Sequence, residues 1–131
     1  MAACVEHINP SGMRPPAGAY SQISRFEDLI YMAGQAGVAA DGSIGADVTI
    51  QLRLAFDNVK LALESQGLSF DNVLNITIYL VDRELIAAFE AAMDALMPSL
   101  FQHGYPASTL LVVNGLARLG LLVEIAAVAH R

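Results

Sequence analysis

A single carboxylate interrupts the most apolar segment of the sequence, close to the C-terminus. Glu124 stands inside the otherwise apolar run 121–128. A carboxylate in such a segment destabilises a fold unless it is paired, hydrogen-bonded or open to a cleft. Glu124 could therefore face solvent or a partner subunit and form a structural hydrogen bond. Alternatively, it could lie in a cleft where it positions or activates water. The pattern alone leaves both interpretations open.

Three further positions lie where predicted strands begin or end, which is where binding residues often occur. Tyr20 follows a loop rich in proline and glycine, Gly34 closes a predicted strand, and Ser108 follows the pair 106–107 at the start of another strand. A tyrosine at such a place usually buries its ring and keeps its hydroxyl in water. None of these positions indicates a site when it is taken alone.

The remaining polar residues form no recognisable catalytic motif. The sequence has no glycine-rich phosphate loop of the required spacing and no nucleophile elbow. His7, His103 and His130 are far apart, whereas zinc sites usually draw their ligands in local pairs. Gln51 and Asn58 fall on a predicted helix, where amides most often face solvent. We therefore predict neither a metal ion nor a cofactor.

The composition limits the class of protein. The 131 residues suit a single domain covering 1–131. Thirteen acidic against seven basic residues give a net charge of −6, which leaves too few cations to bind a nucleic-acid backbone or an anionic membrane. The lone Cys4 and the lack of a long apolar run favour a cytoplasmic protein. A hydrophobic content of 55% with only 15% charged residues indicates extensive apolar surface and hence an oligomer.

The periodicity of apolar residues predicts five strands, two helices and a short additional edge strand at 5–8. Asp47 and Asp82 are the expected helix N-caps, Gly67 is the expected C-terminal residue after the first helix, and Pro98 is expected to end the second. The predicted strands cover residues 21–25, 29–34, 73–80, 108–113 and 121–129, and the helices run from 47 to about 66 and from 82 to about 97.

This order, β-β-α-β-α-β-β, predicts an α/β (α+β) fold with a mixed sheet of about six strands. Right-handed crossover connections place both helices on one face of the sheet. The opposite face is then uncovered, and together with the apolar composition it predicts subunits that pack sheet against sheet.

Several of these segments occur in an order that is more specific than any one of them. The chain resembles the RidA/YjgF family, also known as the L-PSP endoribonuclease or Rid-type enamine/imine deaminase family. The matching segments are Ala19-Tyr20-Ser21-Gln22, Ala33-Gly34-Gln35, Asp41-Gly42, Gln51, Asn58, Gly67, the strand 75–80, Pro106-Ala107 and Val123-Glu124-Ile125. The resemblance implies a chorismate-mutase-like fold and a homotrimer with ligand sites in the clefts between subunits.

In the deaminase branch of that family, a glutamate at the position of Glu124 holds the hydrolytic water, and an arginine directly after the Pro-Ala pair binds the substrate carboxylate. Here that arginine is replaced by Ser108, which offers no charge. Arg118 lies in the turn after the strand and does not match. It could fold back toward a neighbouring cleft and substitute for the missing arginine, but an arginine in an exposed turn is usually solvated.

We therefore expect a cofactor-free hydrolase or deaminase acting on an enamine, an imine or a similar small metabolite, though not on an ordinary 2-imino acid. Glu124 would be catalytic, and Tyr20, Gly34 and Ser108 would bind the substrate. The alternative is a non-catalytic trimer that binds a small ligand or a partner protein. Ribonuclease activity is disfavoured by the net charge of −6.

Overall fold

A computed structural model describes residues 3–131. Within these residues, seven strands and two α-helices follow one another, with short 3-10 turns at Phe70–Asn72 and Arg83–Leu85. The helices are α1 (Val48–Ser65) and α2 (Ile86–Leu100). The strands are β1 (Glu6–Ile8), β2 (Ile23–Phe26), β3 (Leu29–Met32), β4 (Gln35–Ala36), β5 (Val73–Leu80), β6 (Ala107–Val112) and β7 (Val123–His130).

The strands form one mixed sheet in the order β1-β2-β3-β7-β5-β6, in which only β5 and β6 are parallel. The two-residue strand β4 pairs with β7, where Gln35 lies opposite Ile125 and Ala36 opposite Glu124. The α+β class and the element order predicted from sequence are confirmed. The prediction of about six strands is one short, because β4 is too brief to show an alternating pattern.

Both helices pack on one face of the sheet. Alternate residues of β5 and β7 are buried together with the apolar stripe of α1, and three phenylalanines join the elements through edge-to-face contacts 5.2–6.3 Å between ring centroids. The residues between them in β7, including Glu124, are only partly buried. On β3 the side chain of Tyr31 is 53% exposed, and every residue of β6 is exposed. The face away from the helices is therefore open, as predicted.

Most of the predicted helix ends agree with the structure. The Asp47 carboxylate accepts a hydrogen bond from the amide of Ile50 at 2.8 Å, and Gly67 adopts a left-handed φ of 70° after α1. The expectation that Pro98 ends the second helix is wrong. The helix continues to Leu100 because Met97 and Phe101, on either side of the proline, both bury their side chains in the core.

The second predicted N-cap also differs in detail. Asp82 caps the 3-10 turn at Arg83–Leu85, and α2 begins only at Ile86. The part of the chain that the structure describes contains no helix long and apolar enough to cross a membrane.

Candidate functional site

One cavity of about 210 Å³ is lined by residues from five parts of the chain. They come from the loop between β1 and β2, the segment around β4, helix α1, the loop between β6 and β7, and the start of β7. The lining residues are Met13, Arg14, Pro15, Ala17, Tyr20, Gln22, Gly34, Gln35, Ala36, Val38, Asn58, Ala117, Arg118, Leu121 and Glu124. Three of the four predicted site residues, Tyr20, Gly34 and Glu124, therefore lie around one space.

Glu124 is held by the register of β7, in which it lies between Ala36 of β4 and Tyr79 of β5. Its side chain is half-buried, and it makes no hydrogen bond or ion pair with any other residue in 3–131. Burial raises the pKa of the Glu124 carboxyl above its usual value. A carboxylate that is partly desolvated, unpaired within this chain and directed into a cavity is suited to bind a water molecule or a ligand.

Gly34 leaves the space that the Glu124 carboxylate occupies. A Cβ atom at position 34 would lie 2.6 Å from Cδ of Glu124 and closer still to Oε2. A side chain at position 34 would therefore displace the Glu124 carboxylate, while the backbone of Gly34 is not in a left-handed conformation.

Tyr20 lies at the rim of the cavity with its side chain about half exposed, at 51%. Its hydroxyl accepts a hydrogen bond from the amide of Ala17 at 3.2 Å, and its own amide donates to the carbonyl of Gly18 at 2.9 Å. These two bonds fold the proline-rich loop back on itself and hold the phenol at the cavity.

Ser108 lies apart from the other three predicted residues. It is exposed on β6, where it pairs with Ile76 of β5, and it does not line this cavity. To bind a substrate, Ser108 would have to line the cavity of a neighbouring copy of the chain. Its role in substrate binding therefore stays a prediction.

Buried amides that the sequence did not mark as site residues form one wall of the cavity. Gln35 donates through Nε2 to Oε1 of Gln22 at 2.9 Å and to the carbonyl of Ala33 at 3.0 Å. Gln22 in turn donates to the carbonyl of Arg14 at 3.0 Å. This chain of amides joins the segment before β4 to the loop that carries Tyr20.

The expectation that Gln51 faces solvent is wrong, because its side chain is only 1% exposed. Its Nε2 donates to the carbonyls of Gly45 at 2.9 Å and Gly120 at 2.8 Å, and its Oε1 accepts from the amide of Leu122 at 2.8 Å. It therefore ties α1 to two loops at once. A signal was available, because position 51 falls on the same face of α1 as the apolar stripe of Leu52 and Ala55.

Asn58 of α1 is partly buried and has a similar role. Its Nδ2 donates to the carbonyls of Ala36 at 3.1 Å and Val38 at 3.0 Å. It thereby fixes β4, the strand that lies against Glu124.

Two arginines complete the lining. Arg118, expected to be solvated, is exposed but borders the cavity. Arg14 borders it as well, although nothing in the sequence pattern pointed to that residue. Within residues 3–131, no group of three or more His, Cys, Asp or Glu side chains is arranged to bind a metal ion.

Comparison with known proteins now identifies the family. The family model described as endoribonuclease L-PSP matches residues 11–131. The chain belongs to this family, the RidA/YjgF family. The Escherichia coli RutC family protein YjgH is 32% identical to it over 108 residues, which cover 82% of this chain and 81% of YjgH. A RutC family protein of Pyrococcus horikoshii is 30% identical over 120 residues, covering 88% and 90% of the two chains.

Solved structures of the RidA/YjgF family agree with this fold along nearly the whole chain. The E. coli YjgF gene product aligns with a TM-score of 0.87 at 28% identity, covering 96% of this chain and 98% of that one. E. coli TdcF, solved with bound serine, aligns with a TM-score of 0.86 at 27% identity and the same coverage. The family resemblance predicted from the sequence is confirmed.

Proposed function

We propose that this member of the RidA/YjgF family is a small-molecule hydrolase that deaminates an enamine, an imine or a similar metabolite without a cofactor. The observation that carries the proposal is Glu124, a half-buried carboxylate that lines a cavity and has no hydrogen-bond partner in residues 3–131. The volume of about 210 Å³ lies below the usual range of drug-sized sites, which begins near 300 Å³. A molecule of a few carbon atoms suits this space.

The proposed reaction uses Glu124 first as a base and then as an acid. Water held by Glu124 attacks the imine carbon, a C–O bond forms, and the C=N π electrons move to nitrogen. Glu124 accepts the proton that the water loses and gives it to the nitrogen. In the resulting carbinolamine, Glu124 accepts the hydroxyl proton and passes it to the nitrogen. The C=O bond forms, the C–N bond breaks, and its electron pair leaves with ammonia, which gives the ketone. Burial raises the pKa of the Glu124 carboxyl toward the pH at which the enzyme would work. A pKa nearer that pH favours both the uptake and the release of the proton.

Position 108 bears on the substrate class. Ser108 supplies no charge for a carboxylate attached directly to the imine carbon, so we expect ordinary 2-imino acids to be poor substrates. A small ligand for this protein is supported by the structure of TdcF, a relative of similar fold that was solved with bound serine.

We propose in addition that the protein is a homotrimer with its sites in the clefts between subunits. The open sheet face, the exposed strand β6 and the fully exposed Leu119, at 99%, support an interface. Light scattering after size exclusion should give about three times 13.9 kDa. A stable monomer at micromolar concentration would contradict the proposal.

The hydrolase is tested by ammonia release from imines generated in situ, with Glu124→Gln beside the wild type. The amide is nearly isosteric but cannot accept the proton, so turnover should fall by about a hundredfold or more. Glu90→Gln makes the same charge change on the exposed side of α2 and should leave turnover unchanged. Ligand binding without any ammonia release would instead favour the non-catalytic trimer. RNA cleavage is not proposed, since a net charge of −6 disfavours binding to phosphates.

A further inference from the structure

Two arginines from different loops line the same cavity as Glu124. Arg14 lies in the loop between β1 and β2, and Arg118 lies in the loop between β6 and β7. Three of the seven Lys and Arg side chains form ion pairs with carboxylates in residues 3–131, which leaves four without such a partner. Two of those four border this one cavity, whose only carboxylate is Glu124.

The position of Arg14 is defined by its surroundings. Its Nη1 donates to the carbonyl of Ala39 at 3.4 Å, and it lies against Gly42, where a Cβ atom would come within 2.6 Å of Nη1. Arg14 also lines a second cavity together with Ala39, and Val38 and Asn58 border both cavities, so Arg14 lies where the two cavities adjoin. The carboxylate of Asp41 is nearby, but its pKa is lowered mainly by hydrogen bonds from Ser43 and least by Arg14. Within residues 3–131 Arg14 forms no ion pair, so its guanidinium can still bind an anion.

The arginines and Glu124 are at different depths. Both arginines are exposed on loops, whereas Glu124 is half-buried on β7, and neither arginine forms an ion pair with it. Both arginines thus belong to the exposed side of the cavity, which we call its mouth, and the carboxylate suited to hold water is the more buried group. Guanidinium groups bind carboxylates through paired hydrogen bonds, which fix orientation as well as charge.

We infer that the ligand of this site is a small monocarboxylate whose charge binds to Arg14 and Arg118 at the mouth while its imine carbon, or the ketone carbon of the product, reaches Glu124. This inference rests on the proposed function for the identity of the reacting group. In a 2-imino acid the charge adjoins the reacting carbon, and we infer that such a molecule is too short to reach both the exposed arginines and the half-buried Glu124. The substrate class is therefore an acid in which at least one further carbon separates the carboxylate from the imine.

Binding of product-type ketones tests the inference without requiring turnover. The probes are 4-oxopentanoate, its neutral amide 4-oxopentanamide, and pyruvate, titrated calorimetrically into the wild-type protein. We expect 4-oxopentanoate to bind at least about tenfold more tightly than either of the others, since hydrogen bonds between charged groups are the strong ones. Arg14→Gln and Arg118→Gln should each remove that preference. Arg83→Gln, an exposed arginine outside the cavity, should retain it.

The outcomes separate this inference from the proposed function. Arg14→Lys should keep part of the preference, because the charge remains while the planar fork is lost. Glu124→Gln should keep carboxylate binding whether or not hydrolysis is ever found. Equal binding of acid and amide, equal binding of pyruvate, or binding indifferent to both arginines would overturn the inference. Imine turnover that survives both arginine variants would overturn it too and leave the proposed function standing.

Discussion

Replacing Gln51 with leucine removes three hydrogen bonds that join α1 to the loops around the candidate site. The amide is 1% exposed and bonds to Gly45, Gly120 and Leu122 at 2.8–2.9 Å. Leucine is similar in volume, so little of the effect comes from a cavity. Each hydrogen bond contributes roughly 0.5–1.5 kcal/mol net, and a buried partner left unpaired costs about 1–3 kcal/mol. We expect Gln51→Leu to lower the free energy of unfolding by about 3 kcal/mol.

A second variant at the same position separates donor from acceptor. In Gln51→Glu the carboxylate still accepts from the Leu122 amide but faces the carbonyls of Gly45 and Gly120 without a proton to donate. Burial raises the pKa of such a carboxyl in the folded state, so stability is highest below its unfolded pKa and is lost as the pH rises through the folded value. Gln51→Glu should therefore be less stable than Gln51→Leu at pH 7 and should recover partly at pH 4.

Urea unfolding followed by circular dichroism measures both variants, at one fixed protein concentration because oligomerisation shifts the apparent stability. Gln102→Leu is the matched control, since Gln102 is exposed and makes only a local bond to the Ser99 carbonyl at 3.3 Å; its change should stay within about 0.5 kcal/mol. Hydrogen exchange of the Leu122 amide should accelerate in Gln51→Leu. A loss below about 1 kcal/mol with unchanged exchange would show that water replaces these bonds and would refute the reasoning.

Three further substitutions test the site directly. Glu124→Gln should raise the free energy of unfolding at pH 7, because the raised pKa of Glu124 means that its charge destabilises the folded state. This gain should vanish below the pKa of the carboxyl in the unfolded state. Urea titrations over a series of pH values measure it. Gly34→Ala should displace the Glu124 carboxylate and reduce turnover or ligand binding while circular dichroism stays native; unchanged binding would contradict the contact. Ser108→Arg should raise ammonia release from ordinary 2-imino acids generated by an amino-acid oxidase. Strong release by the wild type would mean that another cation of the protein binds the substrate carboxylate.

The regular elements were predictable because their pattern is local. Alternation in β5 and β7 and the apolar stripe of α1 follow from one buried face, and the Asp47 cap and Gly67 follow from the backbone groups at helix ends. Pro98 misled because tertiary burial of its neighbours outweighed a local preference. Strand β4 could not be predicted, since two residues show no period and its pairing with β7 is a long-range contact.

The candidate site was predictable only in part, for the same reason. Glu124 stood out because a charge interrupted an apolar strand, and Gly34 and Tyr20 came from the family resemblance. In the sequence, Arg118 stands out only as a cation that could fold back toward a neighbouring cleft, and Arg14 gave no local signal. What distinguishes the two is that loops more than a hundred residues apart in the chain border one cavity. Gln51 was visible as a polar residue on an apolar helix face, but its three partners were not.

The division of the site between strand and loops explains how recognition could change while the reacting carboxylate stays. The position of Glu124 on β7 is fixed by its pairing with Ala36 of β4 and Tyr79 of β5. A shift of β7 by one residue would turn the buried side chains of that strand outward. Arg14 and Arg118 lie on loops whose ends are secured by buried amides, so these residues can change without disturbing the sheet. In the proposed site, the loops can therefore supply a cation that Ser108 on β6 does not, and the position of that cation would decide which anions the cavity accepts.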